Sequence, residues 1–550
     1  LNEHKALLKE VKMSHSYPHC WRCKKPVIFR ATEQWFISME KNDLRNQALR
    51  AIDEVKWIPP WGRDRIRGML EARPDWCISR QRSWGVPIPA VYCKRCNQAV
   101  LNQAICNHVA AIFAKEGSDA WFIRPVNELM PAELTCPDCG GQDFSREEDI
   151  LDVWFDSGVS FAAVVEQDPR LGGRADLYLE GSDQHRGWFH TALLTSLATR
   201  DRAPYASVLT HGFTLDGKGR KMSKSMGNTI APQDITKRFG AEILRLWVSA
   251  EDYREDVRIS DEILNRLVEA YRRVRNTARF LISNLYDFDP AKDPVPADQL
   301  DELDRWILQR TETLLSRCRD AYEKCEFHVV YHSVNNFCAV DLSAQYLDIV
   351  KDRLYCEGTN SRERRAAQMT INRILDVLVH LIAPILSFTA EEIWNYFPGK
   401  AGRPKSVFLS TIPEPDTRSA DSLLADKWDR IFAERSLVLK VLEQARTAGV
   451  IGHSLDAKVV LHHSHQNQSA LYEMMTIDSQ RLADVLIVSQ VAIDPNHGPD
   501  NPKELQFSVS KADGAKCERC WKYDVKVGAD HNHPTVCPRC AGVLNAGATA

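Results

Sequence analysis

The spacing of apolar residues along the chain predicts two different kinds of structure. Between residues 150 and 250, short apolar runs of strand length lie on either side of a helical segment. Strands are predicted at 175–181 and 205–213, with a helix at 187–200 between them. A strand, a crossover helix and a second strand form a βαβ unit, so this region predicts a parallel sheet.

Further along the chain the pattern changes to long amphipathic helices. Apolar residues recur at helical spacing over 264–282 and again over 371–381. Thr389 with Glu392 predicts a capping box at the start of the following helix. We therefore predict a helical bundle over 261–415, followed by another amphipathic helix, mixed strands and a short cysteine-rich end.

The overall composition changes this picture little. The 550 residues are 44% apolar and 26% charged, which is typical of globular proteins and sufficient for several cores. The net charge of −3 argues against a generally basic nucleic-acid coat, so any RNA contact must come from local patches. The longest apolar stretch, 374–386, contains Asp376, His380 and Pro384, so we predict no contact with a membrane.

The cysteines give the first indication of bound metal. Of the sixteen cysteines in the chain, most lie in Cys-x-x-Cys pairs, and such pairs in a large chain favour zinc over disulfides. In chain order the pairs are Cys20/Cys23, Cys93/Cys96, Cys136/Cys139, Cys517/Cys520 and Cys537/Cys540.

The spacing of these pairs predicts two zinc sites. The last two pairs are separated by sixteen residues, within the window of about 15–20 residues expected of a structural tetrahedral zinc. Two unrelated thiol pairs are the alternative explanation. The second and third pairs are 39 residues apart and predict a second shared zinc, whereas the first pair has no partner. A site closed by four thiolates leaves no position for water, so both sites predict a structural role.

Two polar stretches are candidates for chemistry. "LEGSDQHRGWF" (179–189) lies at a predicted strand-to-helix turn, where backbone N–H groups and polar side chains can hold a nucleotide or an anion. Helix capping and ordinary surface polarity are the alternative there. "KMSKS" (221–225) is a basic loop flanked by Gly219 and Gly227, and its lysines could reach a polyphosphate. A solvated surface loop is the alternative for this stretch.

These stretches, with "DWCISRQRSWGVPIP" (75–89) and "LDVWFDSG" (151–158), resemble the bacterial-type isoleucyl-tRNA synthetases, a family of class I aminoacyl-tRNA synthetases. The resemblance covers essentially the whole chain. "KMSKS" alone indicates only class I, whereas "SDQHRGW" and the "CERCW" knuckle (517–521) point to isoleucine rather than valine, leucine or methionine.

The resemblance implies an α/β multidomain fold with a Rossmann-type parallel-sheet catalytic domain, an all-α helical-bundle anticodon-binding domain and a small C-terminal zinc-binding module. The implied segments are the end of an editing insertion with zinc-bearing connective insertions (1–150), the second half of the catalytic domain with the KMSKS loop (151–260), the anticodon-binding domain (261–415), a junction domain (416–510) and a zinc-binding knuckle (511–550).

The resemblance also implies a reaction in two steps and roles for named residues. ATP, with Mg²⁺, and isoleucine give isoleucyl-adenylate and pyrophosphate, and the isoleucyl group then passes to tRNA(Ile). Lys224 would contact ATP with Lys221 beside it, and Ser223 and Ser225 would complete that site. The residues expected to bind the aminoacyl-adenylate are Glu180, through the amino group of isoleucine, with Asp183, Gln184 and His185.

Weaker predictions concern the contact with tRNA. Arg272, Arg275 and Arg279 lie on one face of a predicted helix and suit phosphate contacts, although a solvated basic face is the alternative. Trp521, next to a zinc thiolate, could stack on an exposed base. It could equally form the small core of the knuckle.

One feature of the family is missing from this sequence. The His-x-Gly-His stretch that binds ATP in these enzymes does not occur in the chain, and neither does the main body of the editing domain. We therefore expect an N-terminally truncated sequence, poor at activating isoleucine by itself, of a cytoplasmic, monomeric enzyme. A valine-specific synthetase and a non-catalytic, zinc-bearing tRNA-binding relic remain the alternatives.

Overall fold

The structure is a computed structural model that divides into two compact units, Leu1–Gly212 and Phe213–Ala550, each described here by itself. No helix in the described part of the chain is long and apolar enough to cross a membrane. The described residues are 3–20, 23–223, 226–399, 402–416, 420–462, 469–494 and 505–547.

The first unit combines short strands with helices of moderate length. Its strands are β1 (Phe36–Ile37), β2 (Lys56–Ile58), β3 (Trp76–Cys77), β4 (Ser79–Arg80), β5 (Val91–Cys93), β6 (Ala99–Val100), β7 (Phe144–Arg146), β8 (Ile150–Leu151), β9 (Ala175–Gly181) and β10 (Tyr205–His211). Its helices are α1 (Leu44–Glu54), α2 (Trp61–Glu71), α3 (Gln103–Glu116), α4 (Ala120–Ile123), α5 (Val153–Gly158) and α6 (Trp188–Arg200).

A parallel sheet of order β2-β10-β9 forms the centre of this unit. The predicted βαβ unit is confirmed, because β9, α6 and β10 follow the predicted boundaries closely. Tyr178, Phe189, Tyr205 and Val208 are buried together in one core between the sheet and its helices. Antiparallel β6-β5-β7, with α3 and α4, builds a separate small core around Trp121.

The second unit is dominated by helices. Its helices are α7 (Pro232–Phe239), α8 (Ala241–Ala250), α9 (Asp261–Ser283), α10 (Glu302–Glu323), α11 (Phe327–Asn336), α12 (Leu347–Cys356), α13 (Arg362–Ile382), α14 (Ser387–Tyr396), α15 (Ser422–Thr447), α16 (Ala470–Ile477), α17 (Ser479–Leu486) and α18 (Pro538–Gly547). Its strands are β11 (Thr214–Leu215), β12 (Val257–Arg258), β13 (Ala457–His462), β14 (Gln490–Asp494), β15 (Gln506–Lys511), β16 (Ala515–Lys516) and β17 (Tyr523–Asp524).

The predicted helical bundle is confirmed, since the long helices share one extended apolar core. The predicted capping box at Thr389 and Glu392 is wrong. Helix α14 begins earlier, at Ser387, and Thr389 lies inside its first turn. The carboxylate of Glu242 on α8 accepts the backbone N–H groups of Phe388 and Thr389 at 2.9 and 3.2 Å. A distant acidic side chain therefore stabilises this helix terminus in place of a local one.

Candidate active site and metal centres

The turn that follows β9 holds the residues predicted to bind the aminoacyl-adenylate. β9 ends at Gly181, a 3-10 turn spans Ser182–His185, and α6 begins at Trp188. Glu180 is exposed and lies opposite Thr210 of β10 in the parallel pairing. The turn is thus at the carboxyl end of a parallel strand, where open α/β sheets bind their ligands.

Gln184 and Asp183 differ in what they contact. The amide oxygen of Gln184 accepts the backbone N–H of Trp188 at 3.0 Å, which caps the first turn of α6. Its amide nitrogen donates to the Asp183 carboxylate at 3.1 Å, and that carboxylate is otherwise exposed. Gly187 lets these groups pack, because a Cβ there would lie 2.6 Å from the Gln184 amide oxygen and 2.7 Å from the Trp154 ring.

His185 is a packed residue of the core. Its ring is fully buried against Trp57, Trp61 and Phe189. Its Nδ1 lies 3.1 Å from the Ser182 carbonyl oxygen, and its Nε2 has no hydrogen-bond partner among the described residues. Burial lowers the pKa of His185 below its usual value, so the ring is neutral at pH 7. The ring contacts of His185 anchor the turn to the core.

Two aspartates near this turn have contrasting environments. The buried Asp152 carboxylate accepts hydrogen bonds from Arg80 at 2.7 Å and from the Trp76 ring nitrogen at 3.3 Å. Burial and the charge of Asp152 together raise the pKa of Asp156 to about 6. Both aspartates lie in the stretch "LDVWFDSG" (151–158), which carries the family resemblance but gave no signal for this shift.

The basic loop lies in the second unit, directly after β11. Its base is held by Asp216, whose carboxylate accepts the backbone N–H groups of Lys218 and Arg220 at 3.0 and 2.9 Å. The Lys221 ammonium lies 5.4 Å from the centre of the Phe213 ring, within the range of a cation–π contact. The backbone N–H of Ser223 donates to Asn228 at 2.9 Å.

Two of the predicted ATP contacts, Lys224 and Ser225, lie outside the described residues. Gly219 and Gly227 have positive φ values of 76° and 64°, respectively. The loop turns at these two residues in a backbone conformation that favours glycine.

The first predicted metal centre is assembled. The sulfur atoms of Cys93, Cys96, Cys136 and Cys139 lie within 4.8 Å of one another. The separations Cys93–Cys139 and Cys96–Cys136 are both 3.5 Å. A tetrahedral zinc with Zn–S bonds of about 2.3 Å requires sulfur separations of roughly 3.8 Å, so the four thiols fit zinc.

The second metal centre is fully buried. Cys517, Cys520, Cys537 and Cys540 also lie within 4.8 Å of one another, and the Cys520–Cys537 separation is 3.8 Å. Hydrogen bonds from the Cys520 thiol and from the Arg519 guanidinium, against the opposing effect of burial, lower the pKa of Cys540 to about 4. A thiolate is the form that binds zinc, and this centre provides one.

Comparison with known proteins finds family models along most of the chain. A family model described as "tRNA synthetases class I (I, L, M and V)" matches residues 3–260. An "Anticodon-binding domain of tRNA ligase" matches 304–461, and a "Zinc finger found in FPG and IleRS" matches 514–542. The terminal cysteine centre is therefore a structural zinc site.

Curated relatives agree with these family models. The chain is 56% identical over 99% of its length to the isoleucine–tRNA ligase of Syntrophotalea carbinolica, and 54% identical over 99% to that of Geobacter sulfurreducens. It is 52% identical over 98% of its length to the enzyme of Moorella thermoacetica. The chain belongs to the isoleucyl-tRNA synthetases of class I. It spans 58–59% of the length of these three relatives.

The remaining cysteine pair of this synthetase chain, Cys20 and Cys23, differs from the other four pairs. Among the described residues, the groups of three or more side chains that could hold a metal do not include Cys20 or Cys23. The backbone N–H of Cys20 donates to the Lys25 carbonyl at 2.8 Å, which closes a short knuckle-like turn.

The arginines predicted to contact tRNA are partly committed to carboxylates. Arg275 forms two hydrogen bonds with Glu392, at 2.6 and 2.8 Å, and these bonds raise its pKa further. Arg272 pairs with Glu269 at 2.7 Å, whereas Arg279 is exposed. Trp521 is also exposed, at 58%, and lies 5.7 Å from the Lys516 ammonium. The indole is therefore outside the knuckle core.

Proposed function

We propose that the protein is an isoleucine–tRNA ligase, which activates isoleucine with ATP and transfers it to tRNA(Ile). The observation that carries the proposal is the identity of 52–56% with curated isoleucine–tRNA ligases over 98–99% of the chain. These relatives favour isoleucine over the valine alternative. The retained turn at Glu180 and the retained basic loop favour an enzyme over a non-catalytic relic.

In the first step the carboxylate of isoleucine attacks the α-phosphorus of ATP, and pyrophosphate leaves. Negative charge accumulates on the departing pyrophosphate, so cations that contact it mainly in the transition state accelerate the reaction. We assign this role to Lys224 and Lys221, assisted by the hydroxyl groups of Ser223 and Ser225. The contact of Lys221 with Phe213 is weak enough to be exchanged for phosphate.

The turn after β9 would bind the other reactant. The exposed carboxylate of Glu180 suits the ammonium group of isoleucine. Asp183 offers a second exposed carboxylate, and Gln184 orients it through the hydrogen bond at 3.1 Å. His185, neutral and enclosed by aromatic rings, would support the turn from beneath and would not transfer protons.

Two structural zinc ions are part of the proposal. When bound, zinc would cross-link the thiolates of each centre and leave no open coordination position. We assign the residues 1–150, 151–260, 261–415, 416–510 and 511–550 to the successive segments predicted from the sequence. Since Arg272 and Arg275 pair with carboxylates, we assign the tRNA contact first to the exposed Arg279 and Trp521. ATP with Mg²⁺ as substrate, a monomeric state and a cytoplasmic location complete the proposal.

Zinc content tests the metal part of the proposal. Elemental analysis of protein purified without chelator should give two zinc ions per chain, one for each cysteine centre. Cys540→Ser should remove the terminal ion and leave the other. Less than one zinc per chain in the unsubstituted protein would contradict the assignment.

Amino-acid-dependent ATP–pyrophosphate exchange tests the function. Since the chain spans under two thirds of its relatives' length, the protein encoded by the complete reading frame should be assayed with all twenty amino acids. Exchange with isoleucine well above valine supports the proposal. Strong exchange with valine would select the valine alternative, and no exchange by a folded, zinc-loaded protein would select the relic.

A further inference from the structure

A buried carboxylate at the base of the basic loop has no part in the chemistry proposed above. Asp216 is only 7% exposed, although it directly precedes a polar and exposed loop. Besides the backbone N–H groups of Lys218 and Arg220, it accepts the Arg220 Nε–H at 2.9 Å. A buried carboxylate is tolerated only when its oxygen atoms are well satisfied, and this one is.

Asn228 connects this carboxylate to the far end of the loop. Its amide nitrogen donates to Asp216 at 3.0 Å and to the Lys221 carbonyl at 3.2 Å. Its amide oxygen accepts the backbone N–H of Ser223 at 2.9 Å. The two ends of the loop are thus joined side chain to side chain, and Asn228 also holds the backbone on both sides of Met222.

Backbone contacts also shape the described part of the loop. The Asp216 N–H donates to the Arg220 carbonyl at 2.9 Å, Leu215 and Lys221 form an isolated antiparallel bridge, and Met222 packs against the main core of the unit. The side chains of Lys218 and Arg220 are exposed. The hydrogen bonds of Asp216 and Asn228 add the side-chain link between the two ends of the loop, and those to the ionised carboxylate are the stronger ones among them.

We propose that Asp216 and Asn228 are positioning residues, which fix the base of the loop so that Lys221 is held ready to contact phosphate oxygens. The inference deepens the proposed function and rests on it. Pre-organisation of the base limits what the loop must order during the reaction. Neither residue needs to touch ATP.

The geometry suggests a set of variants with a built-in rescue. Asp216→Asn replaces one acceptor oxygen by an NH₂ group that faces the donors of Arg220 and Asn228. Asn228→Asp places two carboxylates next to each other, and the repulsion should open the loop base further. The double variant D216N/N228D restores one acid–amide pair with its direction reversed, so it should recover part of the loss. Lys218→Ala is the matched control, because Lys218 contacts Asp216 only through its backbone.

The first readout uses the present chain and reports on the loop alone. Trypsin should cut after Arg220 and Lys221 several-fold faster in Asp216→Asn and fastest in Asn228→Asp. Amide exchange at Ser223 should accelerate in parallel. The double variant should be intermediate, and Lys218→Ala should match the unsubstituted chain at these bonds. Equal cleavage and exchange in all variants would overturn the inference.

The second readout separates positioning from general folding. In the complete reading frame, Asp216→Asn should lower kcat for ATP–pyrophosphate exchange by roughly 10- to 100-fold, the effect of misplaced catalytic groups. KM for isoleucine, the melting temperature and the zinc content should be unchanged, and D216N/N228D should recover kcat in part. Unchanged kcat in an opened loop, or a fall in kcat matched by a fall in melting temperature, would overturn the inference while the proposed function stands. If the unsubstituted enzyme exchanges with no amino acid, the proposed function fails, and the assigned role of the two residues fails with it.

Discussion

The turn after β9 and the basic loop differ in how the chain holds them. We call the first, residues 180–188, the strand-end turn. The fully buried ring of His185 anchors it to the core, and Gln184 caps the first turn of α6 that follows it. In the basic loop, 216–228, the side chains of Lys218, Arg220 and Lys221 are exposed, and the buried Asp216 fixes the base together with Asn228.

This difference matches two different tasks. A turn anchored in the core is rigid, which suits side chains that must bind a reactant in one orientation. Under the proposed function, a loop fixed mainly at its base would let Lys221 follow the charge that develops on pyrophosphate. Substitutions in the turn should therefore affect binding and stability, whereas substitutions in the loop should affect the rate.

The largest effect is expected for Lys224 of the basic loop. Lys224→Ala should lower kcat for ATP–pyrophosphate exchange by about 10²- to 10³-fold, as removal of one group that stabilises transition-state charge does. Lys218→Ala is the control, an exposed lysine in the same loop, and should stay within about twofold. A comparable loss from both variants would mean that general positive charge, not the motif lysine, matters.

The next effect concerns Glu180 of the strand-end turn. Glu180→Gln should raise KM for isoleucine by about 10- to 100-fold, because it removes a charge-assisted hydrogen bond to the ammonium group. Asp176→Asn, an exposed acid on the same face of β9, should leave KM unaltered. If Glu180→Gln changes kcat alone, the carboxylate does not bind the amino group. The contrast between the strand-end turn and the basic loop is then lost.

A smaller effect is expected on stability. Gln184→Ala removes the cap of α6 and should lower the free energy of unfolding by about 1 kcal/mol, a fall of some 2–4 °C in melting temperature. Gln167→Ala, which removes an exposed glutamine bonded to one backbone carbonyl, should have less effect. Calorimetry measures the melting temperature of each variant. Equal falls in Gln184→Ala and Gln167→Ala would show that this cap does not stabilise the strand-end turn.

The smallest effect depends on pH. Since the pKa of Asp156 is raised to about 6 from its ordinary 3.8, the fold favours the neutral form. Its contribution to stability is therefore present at low pH and is lost as pH rises through about 4 to 6. Asp156→Asn should raise the free energy of unfolding at pH 8 by on the order of 1 kcal/mol after solvent screening, which raises the melting temperature, and should change little at pH 4. A larger gain at pH 4 than at pH 8 would contradict the raised pKa.

What the sequence predicted well was local in origin. The boundaries of β9, α6 and β10 follow from apolar periodicity, which the core of the sheet requires. The cysteine centres follow from the Cys-x-x-Cys spacing, because a tight knuckle turn brings each pair of sulfur atoms together.

What the sequence did not predict depends on partners far along the chain. The capping box at Thr389 failed because Glu242, on another helix, occupies the helix terminus. Arg275 was predicted to face phosphate, yet it contacts Glu392, and neither residue indicates the other by its pattern. Asp216 and Asn228 were overlooked for a related reason, since a polar residue on each side of a basic loop gives no periodic signal.

ATP–pyrophosphate exchange by the complete reading frame, measured with isoleucine, with valine and with the other amino acids, is the most direct test of this account. We predict strong exchange with isoleucine and weaker exchange with valine. Lys224→Ala should lose both activities and still bind isoleucine at the strand-end turn. Exchange that is strongest with another amino acid, or absent from a folded protein with two zinc ions, would contradict it.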